Sequence, residues 1–367
     1  MTRFNLVGVV GFNSIDSKMP PIRTGKTKKG ANYKTLNMYL TLPNKNRVNM
    51  ELFGMESDTI KTKDTEGNDV EFDWANRTDE EIVKSVAFYR KNVLSLGDDQ
   101  RFEFVTPLDM IDKIWSMADQ LRGKVVTATG TVERSYYKGE YKDRFKLQNV
   151  YIAAEDAKQS FKTTLEFFWN KEGIDTNSYA EEKRIYFDGY TLEYDSDSKE
   201  NRYMPRQVIL DLSKIDWENP KHAAIAKFNL STMGLSYENG KLKVTLGKGY
   251  YSNRLICSYA NGAKEVEFDE SQLTDFQKMQ IELGLATVDD FRPRNGIRGE
   301  FVTEYKLVKF DSTGDYNEGT VKLDMSDDDF EELIYVPAVS EGTLEEETTK
   351  EEVKNVEVDD DDDDLFD

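Results

Sequence analysis

The sequence predicts a mainly β protein, made of β-barrels with inserted helices and followed by a disordered acidic tail. Apolar and polar residues alternate over residues 34–42 and 47–53, which is the period of strands with one buried face. Segments with helical spacing interrupt the strands after residues 78 and 106. Acidic charge is concentrated at one end, because residues 341–367 hold 14 acidic and 2 basic residues of a chain whose net charge is −21.

The chain length and the scarcity of two residue types narrow the class of protein. A chain of 367 residues is typical of two domains of about 150 residues each. Cys257 and His222 are the only residues of their kinds, so a disulfide within the chain is impossible and most zinc sites are excluded. We therefore expect no metal and no cofactor. No apolar run is long enough to span a membrane and residues 1–5 lack the features of a signal peptide, so we expect a cytoplasmic protein, in the host cell if it is viral.

The first half of the chain has the strand order of a small barrel. Thr78 followed by Glu81 has the form of a capping box, and Pro107 after Thr106 suits the first turn of a helix. The expected order is three strands, a helical segment and two strands, which is the layout of the oligonucleotide/oligosaccharide-binding (OB) fold. In that fold the ligand lies across strands 2 and 3, between the loops that join strands 1 to 2 and 4 to 5. The predicted strands span residues 3–12, 34–42, 47–53, 124–134 and 144–152.

The second half predicts another OB-like barrel, so the fold class is tandem OB-fold-like domains with an acidic tail. A helix near residues 271–284 precedes an expected final hairpin of residues 298–310 and 320–325, as in the first half. Residues 157–177 are compatible with either a linker or an outer strand, and the pattern leaves the strand register of this half open. We predict an OB domain over residues 1–156, an OB-like domain over residues 157–336 and a tail over residues 337–367.

A stretch without acidic residues lies in the predicted loop between strands 1 and 2. From Ser17 to Met50 the chain has eight basic residues and no Asp or Glu, within a protein that is acidic as a whole. A local positive patch governs the approach of a charged ligand more than the net charge does. We interpret this stretch as a nucleic-acid contact; the alternative is a solvated basic loop.

The predicted loop between strands 4 and 5, residues 134–146, also combines charge with aromatic rings. It has five basic, four aromatic and two acidic residues, while Tyr39, Arg47 and Phe53 fall on the polar face of strands 2 and 3. A positive groove with aromatic rings is what the binding of single strands requires, because every base has a flat face. The predicted DNA-binding residues are Arg23, Lys26, Lys28, Lys29, Lys34, Tyr39, Arg47, Phe53, Arg134, Tyr136, Tyr137, Lys138, Tyr141, Lys142 and Arg144.

Each aromatic assignment has a structural alternative. Tyr39 and Phe53 are also compatible with packing beneath the inserted helices. The tyrosines of residues 134–146 are also compatible with bracing the hairpin that carries them. Glu51 shares a face with Phe53, which counts against a surface that faces DNA.

The tail ends in six aspartates followed by Leu365, Phe366 and Asp367. Its few apolar residues cannot offset the entropy of ordering, so we expect disorder, with the apolar pair as an anchor for a partner and the acids steering it to a basic rim. This end resembles the tails of bacterial and bacteriophage single-stranded-DNA-binding replication proteins, which combine OB folds with an acidic tail. The bacterial tails end in Asp-Asp-Asp-x-Pro-Phe, whereas here no proline precedes Phe366 and a residue follows it. The partner-binding residues that the resemblance implies are Asp362, Asp363, Asp364, Leu365, Phe366 and Asp367.

These features together predict a non-enzymatic protein that binds single-stranded DNA without sequence preference. The resemblance implies protection of single strands in DNA replication, recombination and repair, with recruitment of a polymerase, helicase or primase through the tail and competition between tail and DNA. One alternative is an acidic adaptor or structural protein that binds basic proteins. Another is a DNA-processing nuclease on an OB scaffold, which metal-dependent cleavage of an oligonucleotide would reveal.

Overall fold

The computed structural model describes residues 2–43, 46–97, 100–137, 139–195, 198–265, 273–282 and 298–337. The fold is mainly β, as predicted. The strands are β1 (Arg3–Gly11), β2 (Ile22–Lys26), β3 (Asn32–Thr41), β4 (Arg47–Met55), β5 (Thr59–Lys63), β6 (Asp69–Asp73), β7 (Asn92–Ser95), β8 (Arg101–Phe104), β9 (Val125–Tyr137), β10 (Glu140–Ile152), β11 (Ser160–Trp169), β12 (Ile174–Asp175), β13 (Arg184–Asp195), β14 (Glu200–Asp211), β15 (Leu235–Glu238), β16 (Lys241–Val244), β17 (Tyr251–Glu265), β18 (Arg298–Phe310) and β19 (Val321–Lys322). The helices are α1 (Glu80–Ser85), α2 (Pro107–Ser116), α3 (Ala118–Leu121), α4 (Tyr179–Glu182), α5 (Pro220–Thr232), α6 (Asp275–Glu282) and α7 (Asp327–Glu332).

The first barrel closes in the OB order. β1 pairs with β3, β3 with β4, β4 with β10, β10 with β9 and β9 with β1, and only the β4–β10 pairing in this ring is parallel. Helix α2 lies between the third and fourth barrel strands in chain order, and its cap residue Thr106 accepts a hydrogen bond from the Asp109 amide. The layout predicted for the first half is therefore confirmed by the pairing itself.

Alternating apolar residues fill this barrel and hold α2 against it. Leu36, Met38 and Leu40 of β3 are buried, and α2 buries residues at helical spacing, among them Ile111 and Ile114. Helix α2 approaches the sheet closely at Gly54 of β4, where a Cβ atom would lie 2.4 Å from the Leu108 nitrogen. This contact leaves no room for a side chain.

Substitution of Gly54 by alanine is expected to lower the free energy of unfolding by about 1–3 kcal/mol, because the added methyl group must push α2 away from β4. Urea denaturation followed by circular dichroism measures the change. Gly247→Ala is the matched control, since its Cβ would have only an ordinary contact, 3.4 Å from the Tyr251 hydroxyl. Equal stability of the two variants would contradict the packing of α2 on Gly54.

The second barrel repeats the same order, and this settles the register of the second half. β11 pairs with β13, β13 with β14, β14 with β18, β18 with β17 and β17 with β11, and again only the third and fifth strands of the ring, β14 and β18, are parallel. Helix α5 holds the position between the third and fourth strands. His222 in its first turn is exposed.

Three predictions for the second half were wrong in detail. The helix expected at residues 271–284 corresponds to α6, which lies in the connection between β17 and β18 rather than before the fourth strand. Residues 298–310 pair with β17 rather than with residues 320–325, and β19 pairs with β17 as well. Ser160–Trp169 is neither linker nor outer strand but the first strand of the barrel, because Phe161, Leu165, Phe167 and Trp169 all enter the core.

The two barrels share a continuous sheet and a continuous core. Antiparallel pairing of β1 with β11 joins them, from Arg3 opposite Thr164 to Val7 opposite Ser160. Rings from both barrels meet edge to face at this junction, including Phe145 and Tyr259 at 5.2 Å. Met1–Tyr335 accordingly forms one compact unit. The domain boundary at residues 156/157 stays a prediction, and the predicted disordered tail lies outside the described residues beyond residue 337.

The first half also differs from the sequence expectation in local detail. The capping box at Thr78 does not form, since α1 begins after Asp79 without a side-chain cap. Part of the predicted basic loop is strand β2, and residues 134–146 belong to a paired hairpin that turns at Gly139 (φ 86°). The insertion that carries β5 to β8 was not predicted. No helix in the described part of the chain is long and apolar enough to cross a membrane.

Candidate nucleic-acid interface

Three strands present a flat outer face, meaning the side of β2, β3 and β4 that points away from the barrel core. Register places Arg23, Thr35 and Phe53 in one row across these strands. Directly opposite residues of antiparallel strands point to the same side, so these three side chains share the outer face. This is the face on which an OB barrel binds its ligand.

Tyr33 and Phe53 form an aromatic pair on the outer face, in which Phe53 is exposed and Tyr33 is half-buried. Their ring centroids lie 5.7 Å apart with the planes tilted by 34°, and Phe53 is 45% exposed. Tyr33 lies over Gly25 of β2, where a Cβ atom would meet the tyrosine hydroxyl at 2.6 Å. The absence of a side chain at Gly25 therefore allows the ring to lie across the neighbouring strand. The alternative that Phe53 packs beneath a helix is not what the structure shows.

Tyr39 forms a second aromatic position on β3, closer to β1. A Cβ on Gly11 would lie 2.2 Å from the Tyr39 ring, so this ring also lies across a glycine. The Arg47 guanidinium lies over the ring, 4.7 Å from its centroid. Tyr39 is thus enclosed between backbone and cation. A base can stack on it only if Arg47 moves.

The loop between β1 and β3 supplies the positive charge. Arg23, Lys26, Lys28 and Lys29 are exposed, and none of the four forms an ion pair with any residue in the described ranges. Lys34 differs, because its ammonium group is 2.6 Å from Asp112 of α2. We call the four unpaired residues the basic loop. They stand beside the Tyr33–Phe53 pair.

The acidic residue that counted against this surface is neutralised. Lys146 of β10 forms ion pairs with Glu51 and, at 3.3 Å, with Glu133. Arg144, two residues earlier on the same strand, is exposed on the same side. The two acidic side chains, Glu51 and Glu133, are therefore balanced by Lys146 and Arg144, and the outer face continues from β4 onto β10 without an excess of negative charge.

The β9–β10 hairpin places several predicted residues elsewhere. Tyr136 and Tyr141 pack edge to face at 4.9 Å, and both rings also contact Tyr335 at 6.3 Å. Burial raises the pKa of Tyr141. These contacts favour the alternative that the two tyrosines brace the hairpin. The geometry does not bring them to the outer face with Phe53.

Arg134 belongs to a buried charge cluster between the barrels. Its guanidinium lies 3.0 Å from Asp143, which also accepts a hydrogen bond of 2.5 Å from the Tyr305 hydroxyl. Arg206 of β14 lies 3.1 Å from Asp143 and 3.6 Å from Glu193, and the side chain of Arg206 is 1% exposed. We call Arg134, Asp143, Glu193, Arg206 and Tyr305 the charge cluster. Its arginines are turned into the protein and away from solvent.

Titration of the charge cluster follows from its burial and its pairing. Burial by itself raises the pKa of the Asp143 carboxyl, but Arg206, Arg134 and the Tyr305 hydroxyl outweigh it and hold that pKa below its ordinary value. For Glu193 burial prevails and raises the pKa. The pKa of the Arg206 guanidinium is raised, since its acidic partners and Tyr305 outweigh burial. Asp143 and Arg206 are therefore a charged pair within the core.

Of the remaining predicted residues, some lie on the surface of the β9–β10 hairpin and the others lie outside the residues that the structure describes. Lys142 is exposed, 3.4 Å from Glu140 and 5.9 Å from the centre of the Tyr137 ring. Tyr137 is 54% exposed. Lys138 and the tail residues Asp362–Asp367 lie outside the described residues, so their assignments stay predictions.

Sequence reasoning missed Tyr33 and Lys146. Tyr33 stands next to the basic run and alternates with Leu36 and Met38 as Tyr39 does, so the period of two already places it on the outer face. Lys146 was counted within the basic hairpin but not assigned. Among the described residues no group of three or more His, Cys, Asp or Glu is placed to hold a metal ion.

Comparison with known proteins adds little to these assignments. No family model matches the chain, and no curated protein matches it. Among solved structures, a deletion mutant of the single-stranded DNA binding protein from Thermus aquaticus matches with a TM-score of 0.28 and 7% sequence identity, over 85% of this chain and 93% of that one. The barrel assignments made above come from the strand pairing of this chain.

Proposed function

We propose that this chain binds single-stranded DNA without sequence preference and has no enzymatic activity. The observation that carries the proposal is the Tyr33–Phe53 pair, with Phe53 exposed, beside the basic loop on the face of β3 and β4 where an OB barrel binds its ligand. Phosphates need cations and bases need flat apolar surfaces. The described outer face offers both within one patch.

Each part of the patch has its own task in the proposed mechanism. The basic loop attracts the phosphate backbone and releases the counterions that the strand carries. Phe53 and Tyr33 then stack on unpaired bases, which duplex DNA keeps inside its helix. Arg47 and Arg144 extend the positive track along the outer face. Single strands are therefore preferred over duplex, and no sequence is read.

The wider role belongs to the same proposal and is supported by the sequence resemblance. Protection of single strands serves DNA replication, recombination and repair. The acidic tail, with Leu365 and Phe366 near its end, would recruit a polymerase, helicase or primase. An acidic adaptor that binds basic proteins remains the alternative, and it predicts that the basic loop is dispensable.

Fluorescence titration with labelled single-stranded and duplex oligonucleotides tests the proposal. Binding of single strands is expected to weaken as salt rises from about 50 mM to about 200 mM, with a slope of about −0.7 for each phosphate contact. Equal affinity for single strands and duplex, or binding that ignores salt, would refute it.

Neutralising the basic loop is expected to flatten the salt dependence. Replacement of Arg23, Lys26, Lys28 and Lys29 by glutamine removes up to four phosphate contacts, so the slope should fall in magnitude by up to about 3. The matched control replaces four exposed lysines of the second half by glutamine. These control positions are Lys214, Lys221, Lys227 and Lys243. If both variants lose the same amount of salt dependence, only the total charge of the protein matters, and the basic loop is not a specific phosphate-binding site.

A further inference from the structure

The second barrel has aromatic rings on the face that corresponds to the outer face of the first. Register places Phe168 of β11 beside Tyr190 of β13, and Leu192 of β13 beside Tyr203 of β14. Tyr250 immediately precedes β17, which pairs with β11. Phe168, Tyr190, Leu192 and Tyr203 lie on the first three strands of the barrel, on the side that points away from its core, and Tyr250 joins them from the start of the fourth. The barrel thus presents a tyrosine-rich surface at the position where an OB fold binds its ligand.

This surface is occupied by one side chain of α7. The Phe330 ring lies between two tyrosines, 3.7 Å from the ring centre of Tyr250 with planes 13° apart and 4.0 Å from that of Tyr203 with planes 17° apart. Phe330 is fully buried. Aromatic pairs in proteins prefer offset or edge-to-face contacts, so a ring that lies nearly parallel to rings on both sides is an unusual packing solution. It is the geometry with which a nucleobase inserts between two aromatic side chains.

Helix α7 belongs to neither ring of barrel strands. β18, the last barrel strand, ends at Phe310, so α7 follows the completed barrel. We call the space between the Tyr203 and Tyr250 rings the cleft. Near it, backbone hydrogen bonds join Tyr203 to Leu333 and Tyr335, and Arg202 donates to the Glu332 carbonyl. When α7 leaves, these bonds break together with the contacts of Phe330 and its apolar neighbours, and Tyr335 also contacts the rings of Tyr136 and Tyr141.

The charge of α7 also suits a helix that stands in for a polyanion. Asp327, Asp328, Asp329, Glu331 and Glu332 occupy five of its six positions and are exposed. Asp327 and Glu331 lie near enough to Tyr250 to add to burial in raising the pKa of its hydroxyl to about 12. A flat aromatic ring with carboxylates on both sides resembles a flat base with phosphates on both sides in shape and in charge.

We infer that Tyr203 and Tyr250 form a second stacking site for an unpaired nucleobase, which Phe330 fills in this structure. The inference rests on the proposed function, since it assigns the same ligand class to the second barrel. Short strands then bind the first barrel alone. Longer strands reach the second barrel and compete with α7 for the cleft.

The test measures affinity for labelled oligonucleotides of about 8 and about 30 nucleotides, the shorter one being within the span of a single OB fold. Phe330→Ala is expected to tighten binding of the longer strand about tenfold, because stacking of one base contributes about 1–3 kcal/mol. Binding of the shorter strand should not change. Tyr250→Leu, introduced into the Phe330→Ala protein, should return the longer strand to the wild-type affinity.

Ultraviolet cross-linking locates the contact directly. In the Phe330→Ala protein the longer strand should cross-link to Tyr203 or Tyr250, whereas the wild-type protein should give less of this product. If Phe330→Ala fails to fold, replacement of the exposed Asp327, Asp328 and Glu331 by their amides serves instead, since these side chains lie outside the core. That variant should also tighten binding of the longer strand more than that of the shorter one.

The outcomes separate the inference from the proposed function. A folded Phe330→Ala protein with unchanged affinity for the longer strand would overturn the inference and show that Phe330 is a permanent cap on the barrel. If the wild-type protein does not bind the shorter strand, the proposed site on the first barrel is refuted, and this outcome is distinct from failure of the inference. Tightening that persists after Tyr250→Leu would also overturn the inference, because the gain would not come from the cleft.

Discussion

Replacement of Arg206 by methionine is expected to lower the free energy of unfolding by about 3–5 kcal/mol, the cost of breaking a buried ion pair. The side chain of Arg206 is 1% exposed and lies 3.1 Å from Asp143 and 3.6 Å from Glu193. Methionine has a similar length but no charge, so Asp143 keeps only Arg134 as a cationic partner in the cluster. Urea denaturation followed by circular dichroism measures the loss.

Arg202 of the same strand provides the matched control. Its guanidinium lies 2.7 Å from Glu200 in a pair that is partly open to solvent. Surface pairs contribute at most about 1 kcal/mol and the bond that Arg202 donates to the Glu332 carbonyl about 1 kcal/mol more, so Arg202→Met should lower stability clearly less than Arg206→Met. Similar losses from Arg202→Met and Arg206→Met would contradict the view that the charge cluster joins the two barrels.

The pH dependence of stability gives a second measurement of the same cluster. The pKa of Asp143 is lowered from 3.8 in the folded protein, so its contribution to stability is present above that ordinary value and is lost as pH falls through the folded pKa. The raised pKa of Glu193 gives stability the opposite dependence on pH. Comparison of wild type with Asp143→Asn isolates Asp143, because both proteins retain Glu193. The stability difference between these two proteins should therefore shrink as pH falls below about 4. A difference that stays constant from neutral to acidic pH would show that the Asp143 carboxylate has no net charge interaction in the fold.

The charge cluster also shows how far the sequence predicts the fold. Period-two alternation in residues 203–212 places Arg206 on the same side as Met204 and Val208. An arginine among inward-facing residues predicts a buried ion pair, but its partner is not visible in the sequence because Asp143 lies 63 positions away. Local periodicity therefore predicts which side a residue faces, and the pairing of distant strands decides what it meets there.

Composition was a less reliable guide than periodicity. Residues 134–146 are polar, charged and aromatic, and this composition favoured a loop over the hairpin that the structure shows. The three aspartates of α7 are typical of a solvated segment and are exposed, but this composition does not indicate that the next residue, Phe330, is fully buried. In residues 134–146 and in α7, some side chains pack against parts of the chain that are distant in sequence. The average composition of a segment contains no information about those distant parts.

Removal of the Tyr33–Phe53 pair is expected to weaken single-strand binding by about 10- to 100-fold, because one base stacked on the pair contributes about 1–3 kcal/mol. Tyr33→Ala and Phe53→Ala in one protein remove no charge, so the salt slope should stay as in wild type. Phe53 is 45% exposed, which makes its truncation a small perturbation of the core. Fluorescence titration at one salt concentration measures the loss, and the slope across salt concentrations shows whether electrostatics are intact.

Tyr194→Ala is the control for loss of an exposed ring, since Tyr194 is 62% exposed on β13 of the second barrel. It should leave the affinity for the oligonucleotide of about 8 nucleotides unchanged, because that strand binds the first barrel and Tyr194 lies on the second. Stacking and charge neutralisation then separate cleanly: the aromatic variant loses affinity at constant slope, and the glutamine variant of the basic loop loses slope. If the aromatic variant instead bound as tightly as wild type, phosphate contacts alone would explain binding and the outer face would not be a base-stacking surface.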